Sequence, residues 1–122
     1  MAPAPPRIAV NGRYLDEIQT RIEDAWGTGS VGYARLPAQH HGAVIDGEVV
    51  TLRVPALTVL QLYFDGILPV DRSIPVTLEV DGQSLGEVIV ESLRCAERHY
   101  AGEAMFPRLR LATPRSHRQP DP

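Results

Sequence analysis

Cys95 and His99 are the residues of this chain that could support covalent chemistry. They stand four positions apart, a spacing that would place both side chains on one face of a helix. A thiol beside an imidazole can ionise to a nucleophilic thiolate. However, the charged neighbours Arg94, Glu97 and Arg98 indicate an exposed turn or strand end, and a lone cysteine is more often a small buried hydrophobe. We therefore predict no catalytic residue and a protein that is not an enzyme.

Two adjacent histidines, His40 and His41, raise the question of a metal site. They lie in the segment 36–42, which we predict to be a solvated loop. Neighbouring side chains point apart on an extended backbone, so the pair would be a poor chelate. His117 lies near the C-terminus, and Cys95 has no second thiol for a CxxC motif. The sequence therefore predicts no metal site, and its single cysteine fits a reducing compartment.

A glycine-rich stretch, Gly27 to Gly32, spaces its glycines as G-x-G-x-x-G and so resembles a phosphate-binding loop. It lacks the Lys-Ser/Thr pair of a P-loop. A dinucleotide-binding loop follows a strand and opens a helix, whereas here the candidate helix comes before the glycines and a short β segment after them. We interpret the stretch as a flexible connection or hairpin and predict no cofactor.

The distribution of charge argues against binding to nucleic acid. Residues 1–107 hold 8 Arg against 14 acidic residues (8 − 14 = −6), and residues 108–122 hold 4 Arg against Asp121 alone (4 − 1 = +3). A net acidic body repels phosphate, and four arginines neutralise few charges. The aromatic residues are scattered and not interleaved with cations, so we assign them to the core and its rim and predict no stacking platform.

Alternation of apolar and polar residues predicts strands in the second half of the chain. The predicted strands are 48–54, 76–80, 86–93 and 108–111, with a weaker strand at 30–36. Asp81-Gly82 predicts a tight hairpin, and Asp46-Gly47 and Asp65-Gly66 are turn signals of the same kind. Asp65-Gly66 follows an apolar run, Leu57 to Phe64.

The segment 14–26 fits two structures. Leu15, Ile18, Ile22 and Trp26 recur at helical spacing, with Gly27 as a possible C-cap. Alternation of Ile18, Thr20 and Ile22 with polar residues fits a strand equally. The expected fold is thus mainly β, a sandwich or small barrel, and one short helix near residues 14–26 is the alternative to a strand there.

The organisation along the chain indicates one folded unit. Residues 1–6 and 113–122 are rich in proline and poor in apolar side chains, so we predict a flexible N-terminal arm and a flexible basic tail around a β-rich domain at 7–112. No signal peptide or membrane span is predicted, which suggests a cytoplasmic protein or one incorporated into a tail-like particle.

Several short motifs resemble phage proteins. The stretches Arg7 to Leu15 (with Val10-Asn11-Gly12), Ile22 to Gly27 and Leu62 to Gly66 resemble elements of β-domains in contractile-tail baseplate hubs. Asp81 to Ser92 is similar to a hairpin of tail-completion and tail-terminator proteins, and a helix at 14–26 would fit a head–tail joining protein better than a hub. The resemblance implies a non-enzymatic subunit that joins a ring or tube through strand edges and loops. Its partners would be proteins, in a homo-oligomer or larger assembly; the alternative is a small monomeric binding module that uses a barrel face or an exposed strand edge.

Overall fold

The computed structural model describes residues 5–23, 31–99 and 102–112. Their strands are β1 (Ile8–Val10), β2 (Arg13–Tyr14), β3 (Gln19–Glu23), β4 (Val31–Arg35), β5 (Gly42–Asp46), β6 (Val49–Pro55), β7 (Val76–Val80), β8 (Gln83–Ser92), β9 (Cys95–His99), β10 (Gly102–Met105) and β11 (Arg108–Leu111). One α-helix, α1 (Ala56–Phe64), follows β6, and two 3-10 turns occupy Leu15–Glu17 and Ala38–His40. The mainly β prediction is confirmed. The predicted arm and tail, 1–6 and 113–122, lie almost entirely outside the described residues.

Nine strands form one antiparallel sheet that curls into a half-barrel. Its order is β2-β1-β7-β8-β11-β6-β10-β9, and β5 pairs with the remaining side of β6. Strand β9 follows β8 along the chain, and β11 follows β10. Because β9 pairs with β10 and β8 pairs with β11, the four strands form one long bent hairpin. Strands β3 and β4 form a separate two-stranded sheet.

Tight turns fix the register of the sheet. Asn11 and Gly12 have φ angles of 49° and 79°, and Asp81 and Gly82 have 52° and 80°. Two consecutive positive φ angles define a type I′ turn, whose twist matches that of the strands it joins. The hairpin predicted at Asp81-Gly82 is confirmed as the β7–β8 connection.

The core lies on one face of the curled sheet because strand residues alternate between the two faces. Along β6, Val50, Leu52 and Val54 are buried while Thr51 and Arg53 are partly exposed. Each strand predicted from alternation is present, with small shifts at the ends of β4, β6 and β8. The buried apolar side chains that form the cluster include Ile8, Val10, Leu15, Ile18, Val50, Leu52, Val54, Val59, Leu62, Val76, Leu78, Val88, Val90, Leu109 and Leu111.

The α-helix of the described residues is Ala56–Phe64, not the segment near 14–26. Leu15–Glu17 is a 3-10 turn and Gln19–Glu23 is strand β3, so the strand alternative is the correct one for that part of the segment. Pairing with β4 stabilises β3, and Ile18 and Thr20 are buried. The positions 24–26 lie outside the described residues.

Helix α1 instead forms from the apolar run before Asp65-Gly66. Gly66 has φ +71°, and its N–H donates to the carbonyl of Tyr63 while the N–H of Ile67 donates to the carbonyl of Leu62. These two bonds define a Schellman motif, and the two positions that usually make its apolar contact, Ile67 and Leu62, both belong to the buried core cluster. The Asp-Gly signal was therefore a helix end rather than a hairpin turn.

Candidate functional site

Helix α1 carries two apolar stripes but buries only one of them. Its buried residues are Thr58, Val59 and Leu62, which face the core. On another face, Leu60 is 53 % exposed and Phe64 is 79 % exposed. A short helix that is apolar on an exposed face has a surface that the core does not explain.

Strand β3 holds the helix in place through two polar contacts. The hydroxyls of Thr20 and Thr58, both fully buried, lie 3.4 Å apart. The backbone N–H of Arg21 donates to Oε1 of Gln61 at 3.1 Å, and Nε2 of Gln61 donates to Oδ1 of Asp65 at 2.9 Å. Both ends of the Gln61 amide are thus engaged, and β3 lies at a fixed distance from the helix.

A groove runs between α1 and β3. It has a volume of about 340 Å³ and is lined by Arg21, Ile22, Leu57, Leu60, Gln61 and Phe64. A neighbouring hollow of about 270 Å³ extends past Phe64 to Tyr33, which is 61 % exposed, and to Asp65. The floor is therefore mostly apolar, with a guanidinium and a carboxylate among the lining groups. This arrangement is suited to bind an apolar side chain of a ligand, while the charged lining groups interact with polar groups next to that side chain.

Two of the aromatic residues that we predicted in the core and its rim are largely exposed: Phe64 lines the groove, and Tyr33 lines the neighbouring hollow. The available signal was the spacing of Leu57, Leu60 and Phe64, which share a face if the run is helical. A short, mostly apolar run such as this one does not by itself distinguish a buried strand from a helix.

The two adjacent histidines occupy different environments. His40 is half-buried, whereas His41 is 5 % exposed, so the prediction of a solvated loop is wrong for His41. Burial lowers the pKa of His41, and the nearby carboxylate of Asp16 opposes this effect. In the part of the chain that the structure describes, Nε2 of His41 has no hydrogen-bond partner. His41 lies between the 3-10 turn Ala38–His40 and β5, which begins at Gly42, and its side chain is buried there. Among the residues that the structure describes, no three His, Cys, Asp or Glu side chains are grouped to hold a metal ion.

The thiol–imidazole hypothesis required a helix, and the structure has a strand there. Cys95 and His99 lie at the two ends of β9. An extended strand separates Cα atoms four residues apart by about 13 Å. The structure therefore does not bring the two residues together. In the glycine-rich stretch, positions 27–30 lie outside the described residues, and Gly32 belongs to β4.

Arginines of β11 form cross-strand ion pairs on the outer face of the sheet. Glu91 accepts from Nε of Arg110 at 2.8 Å and from Nε of Arg108 at 3.3 Å. The hydrogen bond from Arg110 is the main cause of the lowered pKa of Glu91. Such exposed pairs contribute little to stability. They nevertheless involve two of the four arginines in the basic segment 108–122.

Comparison with known proteins provides no relative: no family model, no curated protein and no solved structure matches this chain. Within the described ranges, α1 has nine residues, and no helix there has the length and apolar character needed to cross a bilayer.

Proposed function

We propose that this chain is a non-enzymatic assembly subunit that acts through protein–protein contacts, of the kind found in phage tails or contractile-injection particles. The observation that carries the proposal is the exposed apolar stripe of α1, with Leu60 and Phe64 more than half exposed beside the groove. The resemblance of Val10-Asn11-Gly12 and Asp81 to Ser92 to tail-protein motifs supports the same class.

Covering the stripe would release substantial free energy. Burial of a fully exposed Leu or Phe side chain contributes about 1.5–3 kcal/mol. Because Leu60 and Phe64 are each more than half exposed, covering both could contribute about 2–4 kcal/mol. The groove is held by buried and hydrogen-bonded contacts, so little reorganisation is needed before binding. These features are typical of a small, preformed binding site for a protein segment.

The charge at the groove defines the chemistry of its occupant. Arg21 is the cation of the lining, and it lies beside Ile22 and Leu57. An apolar side chain of a partner protein would fill the groove, and a carboxylate next to it in the partner's sequence would face Arg21. The proposed occupant is thus a partner segment that combines an aromatic or aliphatic anchor with an acidic residue.

A peptide-selection experiment tests this assignment. A random peptide library is selected against the immobilised full chain, and the binding site is mapped by amide chemical shifts in NMR spectra. We expect selected peptides to carry an apolar anchor beside Asp or Glu and to shift the resonances of α1 and β3. The double variant Leu60→Ser/Phe64→Ser should weaken binding by about tenfold or more, since each lost anchor removes part of the apolar contact.

Val70 supplies the matched control because it is 83 % exposed and lies in the loop after the helix. Val70→Ser should leave peptide binding unchanged. Selected peptides that bind equally well to the double variant would contradict the proposal.

A second candidate is a small monomeric binding module that takes up a ligand strand. Strand β5 favours it, since in the described part of the chain it pairs with β6 alone and its other side is open. Peptides that shift β5 instead of α1 would support this candidate over the groove.

A further inference from the structure

Among the described residues no strand pairs with the side of β5 that faces away from β6, and the hydrogen-bonding groups of this open edge can be assigned from the β5–β6 hairpin. A two-residue connection, Gly47-Glu48, closes the β5–β6 hairpin, with Gly47 at φ +61° and Asp46 opposite Val49. The pair that flanks a two-residue turn exchanges both backbone hydrogen bonds, and such pairs alternate along the strand. The N–H and C=O groups of Ala43 and Ile45 therefore point away from β6, toward the open edge.

The edge lacks the features that normally prevent strand pairing. Edge strands are usually protected by proline, lysine, a bulge or an inward-pointing charge. Strand β5, Gly42–Asp46, has a regular register with β6, and Val44 is 66 % and Ile45 45 % exposed. Its charged residue, Asp46, stands at the end next to the turn. An unprotected apolar edge of this kind is suited to add another strand.

We propose that β5 pairs antiparallel with β5 of a second copy of this chain, across a two-fold axis at Val44. The inference deepens the proposed assembly role by naming a partner and rests on that role, but it concerns a different surface from the groove. In this register Ala43 of each copy lies opposite Ile45 of the other, so their outward groups form four interchain hydrogen bonds. A shift by one residue would pair outward groups with inward ones and would form none.

The side chains also fit a second copy. Ala43 and Ile45 lie across from the buried residues Leu52 and Val50, and Ala43 packs against the core. Ile45 of one copy would therefore cover Ala43 of the other on the core face. Val44 would meet its own symmetry mate at the axis, as a non-hydrogen-bonded pair with side chains close together.

Charge complementarity favours the same register. Gly42 lies across from Arg53, and a Cβ at Gly42 would lie 3.6 Å from Cβ of Arg53. Asp46 of the second copy would lie opposite Gly42, in the same cross-strand row and on the same face as Arg53. Since Gly42 has no side chain, the guanidinium of Arg53 can extend over it toward that carboxylate, in addition to the interaction Arg53 makes within its own chain. The two-fold axis would create this contact twice.

Sedimentation velocity over a wide range of concentrations tests the dimer. We expect a reversible monomer–dimer equilibrium for the wild-type chain. Val44→Lys should weaken it by about tenfold or more, because two like charges would meet at the axis. The matched control Val70→Lys introduces the same charge at an exposed loop position and should leave the equilibrium unchanged.

Disulfide crosslinking tests the register itself. The experiment uses a Cys95→Ser background whose melting temperature matches that of the wild type. There, Val44→Cys with oxidised glutathione as the oxidant should form a covalent dimer rapidly, since a non-hydrogen-bonded pair brings its Cβ atoms to the short end of the cross-strand range, about 4.5 Å, which a disulfide can bridge. Ile45→Cys faces Ala43 of the second copy and should crosslink at least about tenfold more slowly. A wild-type chain that is monomeric at all concentrations, or equal crosslinking at both positions, would overturn the inference. Neither outcome would affect peptide binding at the groove, so failure of the dimer and failure of the proposed function are distinguishable.

Discussion

Asn11 offers a quantitative test of how the turn of β1 and β2 is tied to the rest of the fold. Its Nδ2 donates to the carbonyl of Ile67 at 2.7 Å, and its Oδ1 accepts from the N–H of Thr77 at 2.9 Å. Its own φ is +49°, in the left-handed region. One side chain therefore connects the turn to the loop after α1 and to β7. The substitutions Asn11→Gly and Asn11→Ala separate the hydrogen bonds from the backbone conformation.

The expected losses follow from these contacts. Removing the side chain breaks two hydrogen bonds to backbone groups, each with a net contribution of about 1 kcal/mol. Asn11→Gly retains the freedom to adopt positive φ, so we expect a loss of about 2 kcal/mol in the free energy of unfolding. Asn11→Ala adds the cost of a left-handed alanine, about 1 kcal/mol, for a total of about 3 kcal/mol.

Urea unfolding followed by circular dichroism measures both losses, and thermal unfolding provides a second measure. At about 4 °C per kcal/mol for a domain of this size, the melting temperature should fall by about 8 °C for Asn11→Gly and about 12 °C for Asn11→Ala. Val70→Ala, at an exposed position without such contacts, should remain within about 0.5 kcal/mol of wild type. An alanine variant no less stable than the glycine variant would refute the argument from backbone conformation. Two variants as stable as wild type would refute the argument from hydrogen bonds.

Three further predictions concern stability. Burial lowers the pKa of His41 in the folded chain below its ordinary value of 6.5, so the unfolded chain binds more protons. The free energy of unfolding should therefore fall as the pH drops below about 6.5. Urea unfolding at each pH should show this pH dependence reduced in His41→Gln and retained in His40→Gln. Gly66→Ala should lower the free energy of unfolding by about 1 kcal/mol, because alanine is strained at φ +71°; a melting curve unchanged from wild type would contradict the Schellman assignment. Thr58→Val should destabilise by about 1–2 kcal/mol because it leaves the buried Thr20 hydroxyl without its partner, and a double-mutant cycle with Thr20→Val should show losses smaller than additive.

The strands were predictable because their residues obey a local rule. In β7, Val76 and Leu78 are buried and Thr77 is exposed, as alternation predicts, and Asp81-Gly82 fixes where the chain reverses. Both signals depend on neighbouring positions alone. The same holds for β11, where Leu109 and Leu111 are buried and the arginines are exposed.

The helix and the groove were harder to predict because their signals depend on distant partners. The run from Leu57 to Phe64 has no alternation, and its helical form became apparent from the bonds around Gly66. Likewise, β3 has both periodicities, and pairing with β4 decides between them. The groove exists because Gln61 and Thr58 contact β3, about 40 residues earlier in the chain. No local pattern records which face of α1 such a contact leaves exposed.

Strand β6 sets the spacing between the two surfaces proposed for binding. Thr51 lies opposite Val44, at the level of the two-fold axis, and the helix begins five residues later at Ala56. At about 3.3 Å per residue, each groove would start about 17 Å from the axis, and antiparallel pairing would direct the two grooves to opposite ends, about 35 Å apart. A dimer of this form is a divalent linker with a fixed span. If a groove received a segment of another dimer, the subunits would propagate, and the repeat would include this span of about 35 Å.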